Sequence, residues 1–255
     1  MNITVIGCSG SYAGPDSSAS CYLLEAPDPD DPARTWRVVL DLGSGALGAL
    51  HRHIDPLTVD AVVISHLHAD HFFDISGYYV MRKYHPTGPQ PKIPIWGPRG
   101  TKNRVARAYG LPLVPGMTEE FRFRRIPAGA WQVGPFTFRA ARMDHPIEAY
   151  AFRVESAGRT LVYSGDTAAC PALVDLARGA DLFLSEAAFR DDEDNPPNIH
   201  MTGSEAAAVA TQAGVGMLVL THIPPWHDKQ DAIHEAHGVF DGPVLLASEG
   251  STYQV

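Results

Sequence analysis

The chain has 255 residues, 45% of them hydrophobic and 19% charged, and a formal net charge of −9. That balance allows a sizeable core, and no apolar run approaches the roughly 18 residues that span a bilayer. The acidic excess argues against a broad basic surface for duplex nucleic acid, although it leaves room for a local basic patch or an anionic substrate held by metals. Residues 3–7, 20–25 and 36–41 read as strands, the last two separated by the solvated acidic turn Pro27-Asp28-Pro29-Asp30-Asp31-Pro32. Gly43-Ser44-Gly45 leads into a short helix over 46–51. Residues 61–65 form an apolar run, a short buried strand that ends in a histidine-rich loop. A helix is predicted over 72–84, then an irregular stretch enforced by Pro86, Pro89, Pro91 and Pro94. A strand at 93–96 and a helix at 101–109 follow, then strands at 121–125, 131–143, 150–155 and 159–164. A helix over 171–177 precedes a buried strand at 182–184. The alanine-rich segment 204–213 is the clearest helix, with Ser204 as its cap and Gly214 at its end. A last core strand at 218–220 and a helix at 231–240 complete the pattern.

Strands dominate the first half and alternate with helices in the second. The expected class is α/β, a layered αββα arrangement in one domain over 1–255. Cys8, Cys21 and Cys170 form no CxxC pair and fit a reducing compartment. The opening Met1-Asn2-Ile3-Thr4-Val5-Ile6-Gly7 reads as a strand, not as a signal segment, so the expected location is cytoplasmic. Gly7-Cys8-Ser9-Gly10-Ser11 is a poor dinucleotide fingerprint, lacking both the G-x-G-x-x-G spacing and a following helix.

The chemistry concentrates in His66-Leu67-His68-Ala69-Asp70-His71, three imidazoles and one carboxylate after a strand. His66 and His68 are two residues apart and can point the same way, while Asp70 and His71 turn toward a second point. Such a loop can grip two divalent metals. Imidazole and carboxylate suit zinc first, with manganese or iron as alternatives. Three further candidates stand at strand ends: His145 in Met143-Asp144-His145-Pro146, Asp166 in Ser164-Gly165-Asp166-Thr167, and His222 in Leu220-Thr221-His222. Repeated placement of His or Asp at strand ends is how a sheet edge builds one convergent site.

With these pieces in this order, the chain resembles the metallo-β-lactamase superfamily over essentially its whole length, and within it the ribonuclease Z-like phosphodiesterases. The resemblance implies an αββα sandwich with a dinuclear metal site at one edge of its sheets. It implies that His66, His68 and His145 hold one metal, that Asp70, His71 and His222 hold the other, and that Asp166 bridges them. Ser185-Glu186-Ala187-Ala188-Phe189, followed by His200-Met201-Thr202, is similar to a second segment of that branch. There His200 would protonate the leaving oxygen or stabilise the charged phosphorane, and Glu186 would orient it and raise its pKa. The family pattern usually has a histidine before the glutamate; here Ser185 stands in its place.

The implied reaction is hydrolysis of a phosphodiester by water activated between two metals, with Asp70 accepting the water's proton. Ribonuclease Z grips transfer RNA with a long arm inserted between the third ligand histidine and the bridging aspartate. Here residues 146–165 are filled by two strands and a turn. A small phosphodiester is therefore expected instead of nucleic acid, with no membrane partner. Gly7-Cys8-Ser9-Gly10-Ser11 with Gly14-Pro15-Asp16-Ser17, Tyr84-His85-Pro86 and Leu220-Thr221-His222-Ile223-Pro224-Pro225-Trp226 are similar to a compact bacterial group that hydrolyses 3′,5′-cyclic nucleotides. That resemblance favours cyclic AMP, hydrolysed to 5′-AMP. The competing readings are a transfer RNA 3′-endonuclease and a lactone or other ester hydrolase. Trp226, Tyr84 and Phe189 are candidates to stack on a purine. A homodimer is expected by analogy with related enzymes. His51, His53, His85, His227, His234 and His237 have no assigned role.

Overall fold

Apolar alternation sets up two sheets that face each other across a shared core. The computed structural model describes residues 1–255. The first sheet contains β1 (Asn2–Ser9), β2 (Ser18–Ala19), β3 (Cys21–Pro27), β4 (Thr35–Leu40), β5 (Ala61–Val63), β6 (Ile93–Gly97) and β7 (Phe121–Arg125). The second contains β8 (Trp131–Val133), β9 (Phe136–Arg142), β10 (Tyr150–Ser156), β11 (Arg159–Tyr163), β12 (Leu182–Glu186), β13 (Leu218–Thr221) and β14 (Val244–Leu246). The chain ends in β15 (Thr252–Gln254), which returns to pair with β1. The orders are β15-β1-β3-β4-β5-β6-β7 and β14-β13-β12-β11-β10-β9-β8, with β2 beside β1.

In β4, Val38 and Leu40 enter the core between the sheets, while Val39 packs on the other face. That other face is covered by α1 (Ala46–Leu50), α2 (Ala69–Phe72), α3 (Ile75–Tyr84) and α4 (Thr101–Tyr109). The outer face of the second sheet is covered by α5 (Pro171–Ala177), α6 (Gly203–Ala213) and α7 (Lys229–Ala236). Three apolar layers result, and the architecture is the expected αββα sandwich. Burying each Val, Leu or Phe in these layers stabilises the fold by about 1.5–3 kcal/mol relative to exposure.

Strands β4 to β7 run parallel, as do β11 to β14. Their carboxyl ends carry Asp41 after β4, the histidine loop after β5, Asp166 after β11 and His222 after β13. A bridge between Ser9 and Ile223 and a hydrogen bond from Tyr150 N to Ser65 O join the sheets at this edge.

Several elements differ from the sequence reading. Residues 131–143 form a hairpin, β8 and β9, because Gly134 takes a left-handed φ of 56° and turns the chain. Residues 72–84 do not make one helix: α2 and α3 are separate and Asp74 caps α1 by accepting from Leu47 N. The cap of α6 is Thr202, not Ser204; its hydroxyl accepts from Glu205 N and Glu205 accepts from Thr202 N, a complete capping box. The last helix starts at Lys229, two residues earlier than expected, because the Asp228 carboxylate accepts from Gln230 N. It stops at Ala236, short of Gly238.

Candidate metal centre

The histidine loop is not wholly a loop. His68 ends an extended stretch and Asp70 and His71 lie on α2, one turn of helix. This turn carries Asp70 and His71 away from the His66–His68 pair, so the six residues supply two clusters. The loop is seated by Gly43: a Cβ there would lie 1.9 Å from the Asp70 carbonyl oxygen. Gly10 plays the same part opposite, where a Cβ would lie 2.2 Å from the His222 carbonyl oxygen.

The structure brings all seven predicted ligand residues together. His66, His68, His145 and Asp166 offer donor atoms within 4.8 Å of one another, and so do Asp70, His71, Asp166 and His222. Asp166 belongs to both groups. In the first, His68 Nδ1 lies 3.1 Å from His66 Nε2 and 3.2 Å from His145 Nε2. In the second, Asp166 Oδ2 lies 3.3 Å from both His71 Nε2 and His222 Nε2. Donors about 2.05 Å from a tetrahedral zinc stand ~3.3 Å apart. The observed spacings match that figure.

Unmatched polar atoms point the same way. His71 Nε2 and Asp166 Oδ1 are buried without a hydrogen-bond partner, a costly state unless a cation accepts them. The outer ring nitrogens are already engaged. His71 Nδ1 donates to Asp41 at 2.8 Å, His145 Nδ1 donates to the Ile199 carbonyl at 2.9 Å, and His66 Nδ1 donates to Ser65 Oγ at 3.1 Å. His222 Nδ1 pairs with Ser20 Oγ at 2.9 Å. Each of these leaves Nε2 as the free lone pair turned inward, the arrangement of a metal-ligating histidine. The donor set of five imidazoles and two carboxylates fits divalent cations.

Protonation states favour ligation. Burial pushes the pKa values of His66, His68 and His222 below the ordinary imidazole range. Burial works against ionisation of Asp166, yet His222, His71 and His66 outweigh it and hold that carboxyl well below its usual range. His71 is the exception: despite burial, Asp166, Asp70 and Asp41 raise it well above the imidazole range. A cation binding at its Nε2 competes with that proton.

Asp41 was not anticipated. It is fully buried, and its oxygens accept from Ser65 N, Ser65 Oγ, His71 Nδ1 and the Tyr163 hydroxyl at 2.7–2.8 Å. Its φ is +57°, as is that of His222, an unusual state for residues with a Cβ. The signal was present: Asp41 ends an apolar strand, the same placement that singled out Asp166.

His200 and Glu186 stand beside Asp166 as a third group. His200 Nδ1 donates to Glu186 Oε1 at 2.8 Å. Glu186 is fully buried and also accepts from Thr167 N, Ala188 N and Met201 N. Burial depresses the His200 pKa, but the Glu186 charge and hydrogen bond overcome it and lift it to about 9. Phe189 packs edge-on against the His200 ring at 5.0 Å. The second donor group is buried throughout, whereas His68, His145 and His200 are half-buried, so the centre opens on that side. Trp226, 60% exposed, and Tyr12, 50% exposed, pair at 5.6 Å on the loops flanking His222. Tyr84 is exposed on α3. None of the six spare histidines joins a donor group.

A family model described as "Beta-lactamase superfamily domain" matches residues 37–223. An uncharacterized protein of Mycobacterium leprae is 46% identical over 265 residues, covering 100% of this chain and 89% of the relative. A ribonuclease Z of Myxococcus xanthus is 30% identical over 275 residues, covering 86% of this chain and 88% of the relative. The crystal structure of the metallo-beta-lactamase fold protein YhfI from Bacillus subtilis superposes with a TM-score of 0.86 at 28% identity, covering 99% of each chain.

Proposed function

The chain belongs to the metallo-β-lactamase superfamily of metallo-hydrolases, and on that premise we propose that it is a phosphodiesterase for a small phosphodiester, with 3′,5′-cyclic AMP as substrate and 5′-AMP as product. His66, His68 and His145 would hold one cation, Asp70, His71 and His222 a second, and Asp166 both. Bound there, zinc or a similar cation supplies Lewis-acid charge and lowers the pKa of water toward 7.

The observation that carries the reading is the His200–Glu186 pair at the open side of the donor cluster. Its pKa near 9 keeps His200 protonated at neutral pH. Nδ1 is committed to Glu186, so Nε2 is the proton that can be given away. Cleavage of the phosphorus–O3′ bond leaves an alkoxide, a poor leaving group, and His200 Nε2 supplies the proton it needs. Such general acid catalysis is typically worth about 10²–10⁴-fold. Asp70, which shares a donor group with Asp166, would take the proton of the attacking water.

The stretch between His145 and Asp166 supports a small substrate. It holds β10 and β11 joined by the two-residue turn Ala157-Gly158, with no insertion for an RNA-gripping arm. The Tyr12–Trp226 pair offers the adenine a stacking surface.

The His200→Ala variant tests the assignment. Turnover of cyclic AMP should fall about 10²–10⁴-fold with bound metal unchanged. Loss of metal from the variant would show that His200 is a ligand and overturn the assignment.

A further inference from the structure

The net charge of −9 conceals a strongly polarised molecule. Between Lys92 and Arg142 the chain carries ten lysines and arginines against Glu119 and Glu120, a local charge of +8. The remainder therefore carries −17. This basic segment comprises β6, α4, β7, β8 and β9. The topology places β7 and β8 at the edges of their sheets, and Trp96 packs on Trp131 at 5.6 Å across the gap. Lys92, Arg122 and Arg124 of this segment stand together where those edges meet. Arg122 and Arg124 are exposed on one face of β7 and make no ion pair.

Between the two edges lies a cavity of about 710 Å³. Arg122, Arg124, Lys92 and Arg82 supply its charge, and Trp36 and Trp96 supply aromatic surface. Its one carboxylate, Asp60, is occupied by Arg34 and the Arg37 amide. Two donors here have no partner, the buried Nε of Arg82, a residue 2% exposed, and the buried Nε1 of Trp96. The cavity is separate from the metal centre: it is lined by residues 57–60, before β5, whereas His66 follows β5.

We propose that this basic pole is a docking surface for a single strand of nucleic acid, with phosphates on the β7 arginines and Lys92 and a base in the tryptophan-lined cavity. Cationic grooves with interleaved aromatics bind single strands in this way, because every base has a π-face and every linkage a charge. A membrane surface would match the charge but leave the recess with its aromatic lining unfilled. The surface serves binding, not cleavage, and does not rest on the reaction proposed above.

The test is fluorescence anisotropy of a labelled twelve-nucleotide oligoadenylate with the zinc-loaded protein. Dissociation constants of roughly 10⁻⁴–10⁻⁶ M are expected at physiological salt. With three to four phosphates neutralised, affinity should fall about 20- to 50-fold between 50 and 200 mM salt. Charge reversal at both exposed positions, Arg122→Glu with Arg124→Glu, should weaken binding at least about tenfold and reduce the log–log salt slope by about 1.4. If that variant misfolds, Arg124→Gln should lower the slope by about 0.7. Trp226→Ala, at the mouth of the metal centre and outside this cavity, should leave the strand bound. Loss of binding in Trp226→Ala, unchanged binding in the arginine variants, or binding only to phosphatidylserine vesicles would overturn the proposal.

Discussion

Replacing Asp41 by Asn isolates the contribution of a carboxylate that would touch no metal itself. Asn tolerates the φ of +57° that Asp41 adopts, and it conserves volume, so the change is electronic. Asp41 Oδ2 accepts three hydrogen bonds and Oδ1 accepts the Ser65 amide. An amide has only one oxygen. In either orientation its NH₂ faces at least one buried donor, which costs about 1–3 kcal/mol. A drop in Tm of about 2–12 °C follows for a chain of this size. The same change loosens the hydrogen bond that fixes the His71 ring with Nε2 inward. Removing such an outer partner typically costs about 10–100-fold in metal affinity. Competition with a zinc chelator measures that loss, and circular dichroism verifies that the variant is folded. A folded variant that binds zinc within twofold of the parent would refute the argument that Asp41 prepares His71 for ligation.

Three other outcomes are expected. For Glu186→Gln, the charge that raises His200 is gone while burial, which lowers it, remains; the alkaline limb of kcat, near pH 9 in the parent, should move into or below the imidazole range around 6.5, and an unmoved limb would detach His200 from it. Because the folded-state pKa of His200 is raised, the pair's contribution to stability is complete below about pH 6.5 and is lost as pH rises through about 9, which Tm measured from pH 6 to 10 in parent and variant will show. Gly43→Ala pushes a methyl group onto the Asp70 carbonyl and should cost about 1–3 kcal/mol, with zinc stoichiometry falling as α2 shifts; full stability would show that the loop has slack. Trp226→Ala should raise KM for cyclic AMP about 5- to 150-fold with a smaller effect on kcat, and an unchanged KM would remove the stacking role.

The site was legible because its chemistry is local. Six of the seven donors follow the apolar strands β5, β11 and β13, and a strand-end His or Asp is visible in sequence without knowing the topology. The His200–Glu186 pairing was not visible as geometry. The two residues are separated by the Asn195-Pro196-Pro197 loop, and only a resemblance linked them. Asp41 escaped because it stands alone, with no histidine nearby in the chain to advertise it. In the fold, β14 and β15 were missed since each has only three residues; Val244-Leu245-Leu246 is an apolar run but a short one, and Thr252-Tyr253-Gln254 is not apolar. The β8–β9 hairpin was merged into one strand because Trp131, Val133, Phe136 and Phe138 continue the apolar pattern through Gly134. The helix placing Asp70 and His71 is a single turn, too short to leave a periodic signature. The basic pole was hidden by summing charge over the whole chain, when its distribution along the chain was the informative quantity.

The most direct test of the account is product analysis of 3′,5′-cyclic AMP incubated with zinc- or manganese-loaded protein, with Asp70→Ala as the control. The account predicts metal-dependent release of 5′-AMP that the control lacks. Fully metallated protein that leaves cyclic AMP intact, while opening a lactone or cleaving precursor transfer RNA, would contradict it.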